Sequence, residues 1–188
     1  PDARTPGGEG ALAWATEGNV STFTMQVTIA AGRISPALEV SAIVDNARDG
    51  NGRLLPLGPI VKTRKFNTGV STVGVKTLTN DIPRELGDIR AIHMFESAAN
   101  DISGVVVKLD QVIAFERDRV LNDAIQRQLG FAPDAAVFHL DFMEHGRPQD
   151  PLPMRRPNGD LVGEFRMDVD MAVASDFAML VEYIGQPD

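Results

Sequence analysis

The chain has 188 residues, 43% hydrophobic and 23% charged, which is enough apolar content for a real core and too much for a disordered segment. Eighteen Lys and Arg against 26 Asp and Glu give a formal net charge of −8, which argues against a broad nucleic-acid surface because phosphate binding rests on clustered cations. There is no Cys, which excludes disulfides, thiolate zinc sites and a Cys nucleophile together, and no apolar run reaches the ~18 residues of a membrane-spanning helix.

No charged segment followed by an apolar one opens the chain, and it begins Pro1-Asp2 without Met, so further N-terminal sequence is expected. Residues 5–10 are rich in Pro and Gly and lead to Leu12 and Trp14, the pattern of an arm that packs on a neighbouring surface. Phe23, Met25, Val27 and Ile29 alternate with polar or small residues, as do Leu38, Val40, Ala42 and Val44. That alternation predicts strands at 22–30 and 37–45, joined by the turn-rich 31–36 and paired with each other. They have no barrel of their own and read as the tail of a preceding domain. Residues 46–52, with Asp-Gly and Asn-Gly steps, predict a tight loop or an interdomain linker. A calcium loop through Asp45, Asp49 and Asn51 is the sharper alternative, but the EF-hand spacing and its Glu at the twelfth position are missing.

From Pro59 to the C-terminus the alternation predicts eight strands, at 60–66, 73–78, 89–95, 105–109, 112–115, 137–143, 164–171 and 177–184. The breaks carry turn residues, among them Asn67-Thr68-Gly69, Asn80 to Pro83, Ala98 to Asp101 and Asp110-Gln111. The densest basic stretch is Lys62, Arg64 and Lys65; its spacing puts Lys62 and Arg64 opposite Val61 and Thr63, on what reads as a solvated outer face. One helix follows the fifth strand. Asp118 can cap it, Asp123 precedes Arg127 by four, and Gly130 ends it. Val120, Leu121, Ala124, Ile125 and Leu129 form one stripe, expected to seal against the barrel. Residues 144–163 predict a long loop rich in Pro, Arg and Gly.

Signals for chemistry are sparse. His139 and Asp141 alternate on one face, with Phe138, Leu140 and Phe142 on the core side, so the pair should point outward. A metal site there lacks the three-ligand constellation that catalytic centres keep around an open position, and His93, between Ile92 and Met94, reads as a satisfied strand residue. Asp168 and Asp170 share one face, with Val169 and Met171 opposite, and read as a solvated sheet edge. There is no Gly-x-Ser-x-Gly elbow, no His-Glu-x-x-His helix and no phosphate-cradling Gly-Lys loop. No residue is assigned a catalytic, cofactor-binding or metal-ligating role.

Several runs taken in order carry a resemblance. They are Pro56-Leu57-Gly58-Pro59-Ile60 leading to Arg64-Lys65-Phe66, then Gly69, Ile82-Pro83 and Asp88 to Phe95. Asn122 and Gln126 in the helix, Phe138 to Met143, Leu180-Val181-Glu182-Tyr183, and Arg4-Thr5-Pro6 with Ala13-Trp14 complete the pattern. This order resembles the major capsid proteins of corticovirus-like, membrane-containing phages. The resemblance implies an all-β jelly-roll β-sandwich of the viral double jelly-roll type, with one helix between the fifth and sixth strands of the complete barrel. On that reading residues 1–55 are an N-terminal arm with the last strands of a preceding jelly roll, and 56–188 are the complete C-terminal barrel.

It further implies a structural, non-enzymatic subunit that self-assembles as pseudo-hexagonal trimers into an icosahedral virion shell, put together in the host cytoplasm. The implied partners are the homotrimer, neighbouring capsomers, the internal viral membrane and minor capsid or vertex proteins, with no cofactor and no direct specific nucleic-acid binding. Arg is enriched in interfaces and terminal arms dock elsewhere, so Trp14, Arg147, Arg155 and Arg156 are the expected subunit contacts. The alternative is a β-sandwich binding module for lipid or carbohydrate, for which a single Trp and a single Tyr are a poor aromatic supply.

Overall fold

The computed structural model describes residues 60–69, 72–143 and 151–185. The expectations for the arm with Trp14, the strands at 22–30 and 37–45, the Asp45–Asp49–Asn51 loop, the 1–55 unit and Arg147 lie outside the described residues.

The described chain runs β1 (Ile60–Thr68), β2 (Gly74–Thr79), β3 (Asp88–Glu96), β4 (Ile102–Leu109), β5 (Val112–Asp118), α1 (Arg119–Gln128), β6 (Val137–Asp141), β7 (Phe165–Met171) and β8 (Phe177–Gly185). All eight strands and the helix fall where alternation and capping place them, with ends differing by a few residues. The β4–β5 connection shows why. Asp110 and Gln111 both adopt left-handed φ, +48° and +67°, the conformation of a two-residue hairpin turn whose twist matches the flanking strands. Asn80 and Asn100 supply the same conformation, φ +56° and +63°, at the ends of β2 and before β4.

Pairing then follows one scheme. β1 pairs with β8, β2 with β7, β3 with β6 and β4 with β5, all antiparallel, as if one long hairpin had been rolled up. The roll closes because β3 also pairs with β8, and β4 with β7. Two four-stranded sheets result, ordered β1-β8-β3-β6 and β2-β7-β4-β5, which is a jelly-roll β-sandwich. Its core lies between the sheets, with Ile92, Met94, Phe138 and Val181 from one meeting Val107, Met167, Val169 and Met171 from the other. Each such side chain, fully buried, contributes ~1.5–3 kcal/mol.

The helix sits against the sandwich in an orientation opposite to the expected one. Val120, Leu121 and Leu129 are 78%, 49% and 45% exposed, whereas Arg119 and Asn122 are 8% and 3% exposed. The reason lies in what the helix covers. β6 is the last strand of its sheet, and a free strand edge offers carbonyl oxygens rather than apolar surface. Asn122 and Gln126 donate side-chain amides to the His139 carbonyl at 2.9 and 3.3 Å, and Arg119 donates to the carbonyls of Ile102 and Val137 at 3.2 and 3.0 Å. The polar face is spent on the edge and the apolar stripe is left outside. Both ends close as expected: Asp118 accepts from the Leu121 amide at 2.7 Å. The Gly130 and Phe131 amides return to the Arg127 and Gln126 carbonyls at 3.1 and 2.9 Å, with Gly130 at φ +86°.

Two strand faces also differ from expectation. Lys62 and Arg64 stand opposite Tyr183 and Val181, and Phe66 opposite Met179. Directly opposed residues share a face, and these β8 partners are buried, so the basic pair lies on the inward face and not the outer one. Arg64 keeps its access to water because β1 is an edge strand, where inward-pointing charges are tolerated and discourage further pairing. Asp168 is buried, because β7 is an interior strand between β2 and β4 and not a sheet edge; Asp170 alone is exposed.

The second half of the long loop is built rather than loose. Leu152 exchanges two backbone hydrogen bonds with Ile89, at 3.0 and 2.8 Å, and Leu152, Met154 and Val162 are buried.

Candidate functional site

The outer face of the β1-β8-β3-β6 sheet carries a chain of polar groups that the sequence did not reveal. His93 and His139 stand opposite each other across β3 and β6, their Nδ1 atoms 2.8 Å apart. His93 Nε2 lies 3.3 Å from Glu182 on β8, and Glu182 also accepts from Arg90 at 2.9 Å. The set is satisfied when His93 donates from Nε2 to the carboxylate and accepts at Nδ1 from His139. Burial first, and then His93, pushes the His139 pKa below the ordinary histidine value. The bond to His93, helped by the Arg90 charge and opposed by burial, holds Glu182 below the usual carboxylate range. His139 and Asp141 do point outward, with Phe138 and Leu140 in the core, but His139 is engaged by His93. Among the described residues no group of three or more His, Asp or Glu is placed to hold a metal.

The other sheet carries a second cluster. Asp168 accepts from Thr77 at 2.7 Å, Lys108 at 3.0 Å and Arg166 at 2.9 Å. Burial works against its charge, but the bonds from Arg166, Thr77 and Lys108 outweigh it and hold the pKa at about 2. The folded value is below the ordinary 3.8, so the stability Asp168 supplies is complete above pH 4 and is lost as pH falls toward about 2. Asp168→Asn should cost about 1–3 kcal/mol at neutral pH. Urea denaturation of both proteins as pH is lowered from 6 should show that difference shrinking below pH 4; a constant difference would mean the charge is not what matters.

Arg155 and Arg156, expected at a subunit contact, are exposed and already engaged within the chain. Arg156 grips Asp110 at the β4–β5 turn with Nε and Nη2, at 3.0 and 2.6 Å, and this bond holds the Asp110 carboxyl below its usual range. Arg155 donates to the Gly159 carbonyl at 3.0 Å. Tyr183 is fully buried, so it offers no platform for a sugar ring.

Two features remain unsatisfied at the surface. One is the outward stripe of α1; Val112 and Ile113, at the hairpin end of the edge strand β5, are exposed as well. The other is a depression between β1 and β2, lined by the apolar Phe66, Leu78 and Met179 and by the charged Lys65, Lys76 and Asp81. Neither brings acid, base and nucleophile together; both are surfaces suited to contact.

Comparison with known proteins fits that character. Residues 60–187 match the family model described as the viral coat protein P2 C-terminal domain. The crystal structure of the major capsid protein P2 from bacteriophage PM2 is similar at a TM-score of 0.58 and 23% identity, over 69% of this chain and 46% of that one. That likeness is one of fold, and the chain spans a little under half of the P2 chain. No curated protein matches.

Proposed function

The chain belongs to the viral coat protein P2 C-terminal domain family, and from that premise we propose that it is the C-terminal part of a double jelly-roll major capsid protein, assembling as pseudo-hexagonal trimers in an icosahedral virion shell. Membership gives it a structural capsid role rather than an enzymatic one. The observation that carries the proposal is the rolled pairing of all eight strands over the same residues that match the coat family. On this reading residues 1–55 complete a preceding barrel. Trp14 and Arg147, with Arg155 and Arg156 beside the β4–β5 turn, tie neighbouring subunits. Capsomers, the internal membrane and the minor capsid or vertex proteins are the partners, and assembly takes place in the host cytoplasm.

Affinity in such a shell comes from area and symmetry summed over weak contacts. Light scattering across a concentration series, with and without calcium, should therefore give a mass three times the 20.3 kDa of the chain, or a larger closed assembly. Deleting residues 1–14 should weaken assembly and leave the barrel folded by circular dichroism. A strict monomer at every concentration would overturn the proposal.

A further inference from the structure

We propose that His93 and His139 form a pH-sensitive clasp on the edge strand β6: it holds β6 to β3 while a single proton lies between the two rings, and it gives way when both rings are protonated, loosening β6 together with α1. The clasp is a property of the chain's own strands and does not depend on whether copies assemble.

The geometry of the pair carries the proposal. The Nδ1 atoms are 2.8 Å apart and the ring centroids 5.0 Å apart, a difference close to two ring radii, so the nitrogens lie nearly on the line between the ring centres. One nitrogen therefore points at the other, as a shared proton requires, whereas a shared metal would need both lone pairs to converge to one side. Counting protons gives the switch. With both rings neutral, His139 donates from Nδ1 and His93 accepts. One added proton is accommodated, because one Nδ1–H still faces one bare Nδ1. A second puts N–H on both nitrogens and turns the contact repulsive, so the rings titrate as a pair.

The strand that depends on this contact is poorly anchored elsewhere. β6 has only five residues and, as the last strand of its sheet, a single neighbouring strand. Its other edge is held by α1, and two of those bonds, from Asn122 and Gln126, end on the carbonyl of His139 itself. Movement of His139 away from His93 therefore pulls at the residue that fastens the helix, and acid uncovers a strand edge that α1 closes at neutral pH.

The charges around the pair come from every neighbouring element. Glu182 on β8 takes the far nitrogen of His93 and Arg90 on β3 pairs with Glu182. On the other side stand Asp123 and Arg119 of α1, Asp134 before β6, and Asp141, which shares the outer face of β6. Arg119 is in turn paired with Glu96 of β3. Glu182 is held below the ordinary 4.5 and so adds nothing to a change at higher pH. Burial and His93 keep His139 below the ordinary 6.5, so an opened strand takes up a proton that the closed clasp refuses. The stability of the clasp is thus complete above pH 6.5 and is lost as pH falls below it, toward the lower value of the folded pair.

Hydrogen-exchange mass spectrometry of the full chain between pH 7 and 5, with rates corrected for intrinsic exchange, tests this. Protection over 137–141 and 119–128 should fall below pH 6.5 by up to about tenfold per pH unit, the limit for one proton, while 165–171 in the interior strand β7 stays protected. His139→Gln keeps a side chain that can donate to His93 but cannot charge, so it should abolish the fall and leave protection at pH 7 near that of the unaltered chain. Should His139→Gln fail to fold by circular dichroism, His93→Gln puts the same question from β3. Protection over 137–141 that does not change with pH would overturn the clasp. So would a fall that persists in the Gln variants, or one shared equally by 165–171, which would be unfolding of the whole sandwich.

Discussion

Arg119→Ala is expected to cost about 3–5 kcal/mol, because it leaves a buried carboxylate without its partner. The Glu96 side chain is fully buried and that of Arg119 only 10% exposed, and the two are joined by a direct ion pair. Glu96 also accepts from the Ile102 amide at 2.8 Å, while Arg119 reaches the carbonyls of Ile102 and Val137 and stacks 4.7 Å over the Phe138 ring. One guanidinium thus ties α1 to β3, β4 and β6, across both sheets. Losing it strands Glu96 and leaves two carbonyls without their donor at once. Urea denaturation of Arg119→Ala, Glu96→Ala and the double variant gives the coupling: the double should lose less than the sum of the singles. A loss below about 1 kcal/mol in Arg119→Ala would place the pair with ordinary exposed bridges.

Gly87→Val is the second large effect, expected to cost about 3 kcal/mol or more from backbone strain and overpacking combined. Gly87 sits at φ +134°, and a Cβ there would lie 2.4 Å from the Ile184 carbonyl oxygen. The opposing Gly185 would meet the Leu86 oxygen at 2.5 Å, so the turn into β3 and the end of β8 touch backbone to backbone. Gly130 supplies the control. It is also left-handed, at φ +86°, but has nothing within 4 Å of its would-be Cβ, so Gly130→Ala should lose only about 1–2 kcal/mol. Thermal unfolding of both variants separates the effects; equal losses would mean that conformation alone, and not the close approach, fixes Gly87.

Local signals in this sequence are strong. The period-2 runs gave eight strands, Asp110-Gln111 gave a tight hairpin, and Asp118 and Gly130 bracketed the helix. These depend on φ, ψ preferences and on capping within a few residues. The errors share one origin. An alternating strand states which residues lie together but not which side faces the core, and on β1 Phe66, rather than the charges beside it, marks the inward face. Asp168 looked like a sheet-edge residue because nothing in its own strand says that β2 and β4 flank it.

His93 and His139 are 46 residues apart, and only the β3–β6 register brings their Nδ1 atoms to 2.8 Å. With the rolled pairing in hand, that register is the signal that would have found them. The helix is the clearest case. Its stripe of Val120, Leu121, Ala124, Ile125 and Leu129 is legible in the sequence, yet which side turns inward is fixed by the surface it meets, and only Ile125 of the stripe is half-buried.

Among the described residues the sequence by itself therefore determined the number and order of the elements, through backbone preferences that act over a few residues. The tertiary structure alone decided sheet order and the side each element shows to water. Those outcomes depend on distant partners, and at β6 the unpaired carbonyls of a strand edge outweighed the apolar stripe of the helix that came to cover it.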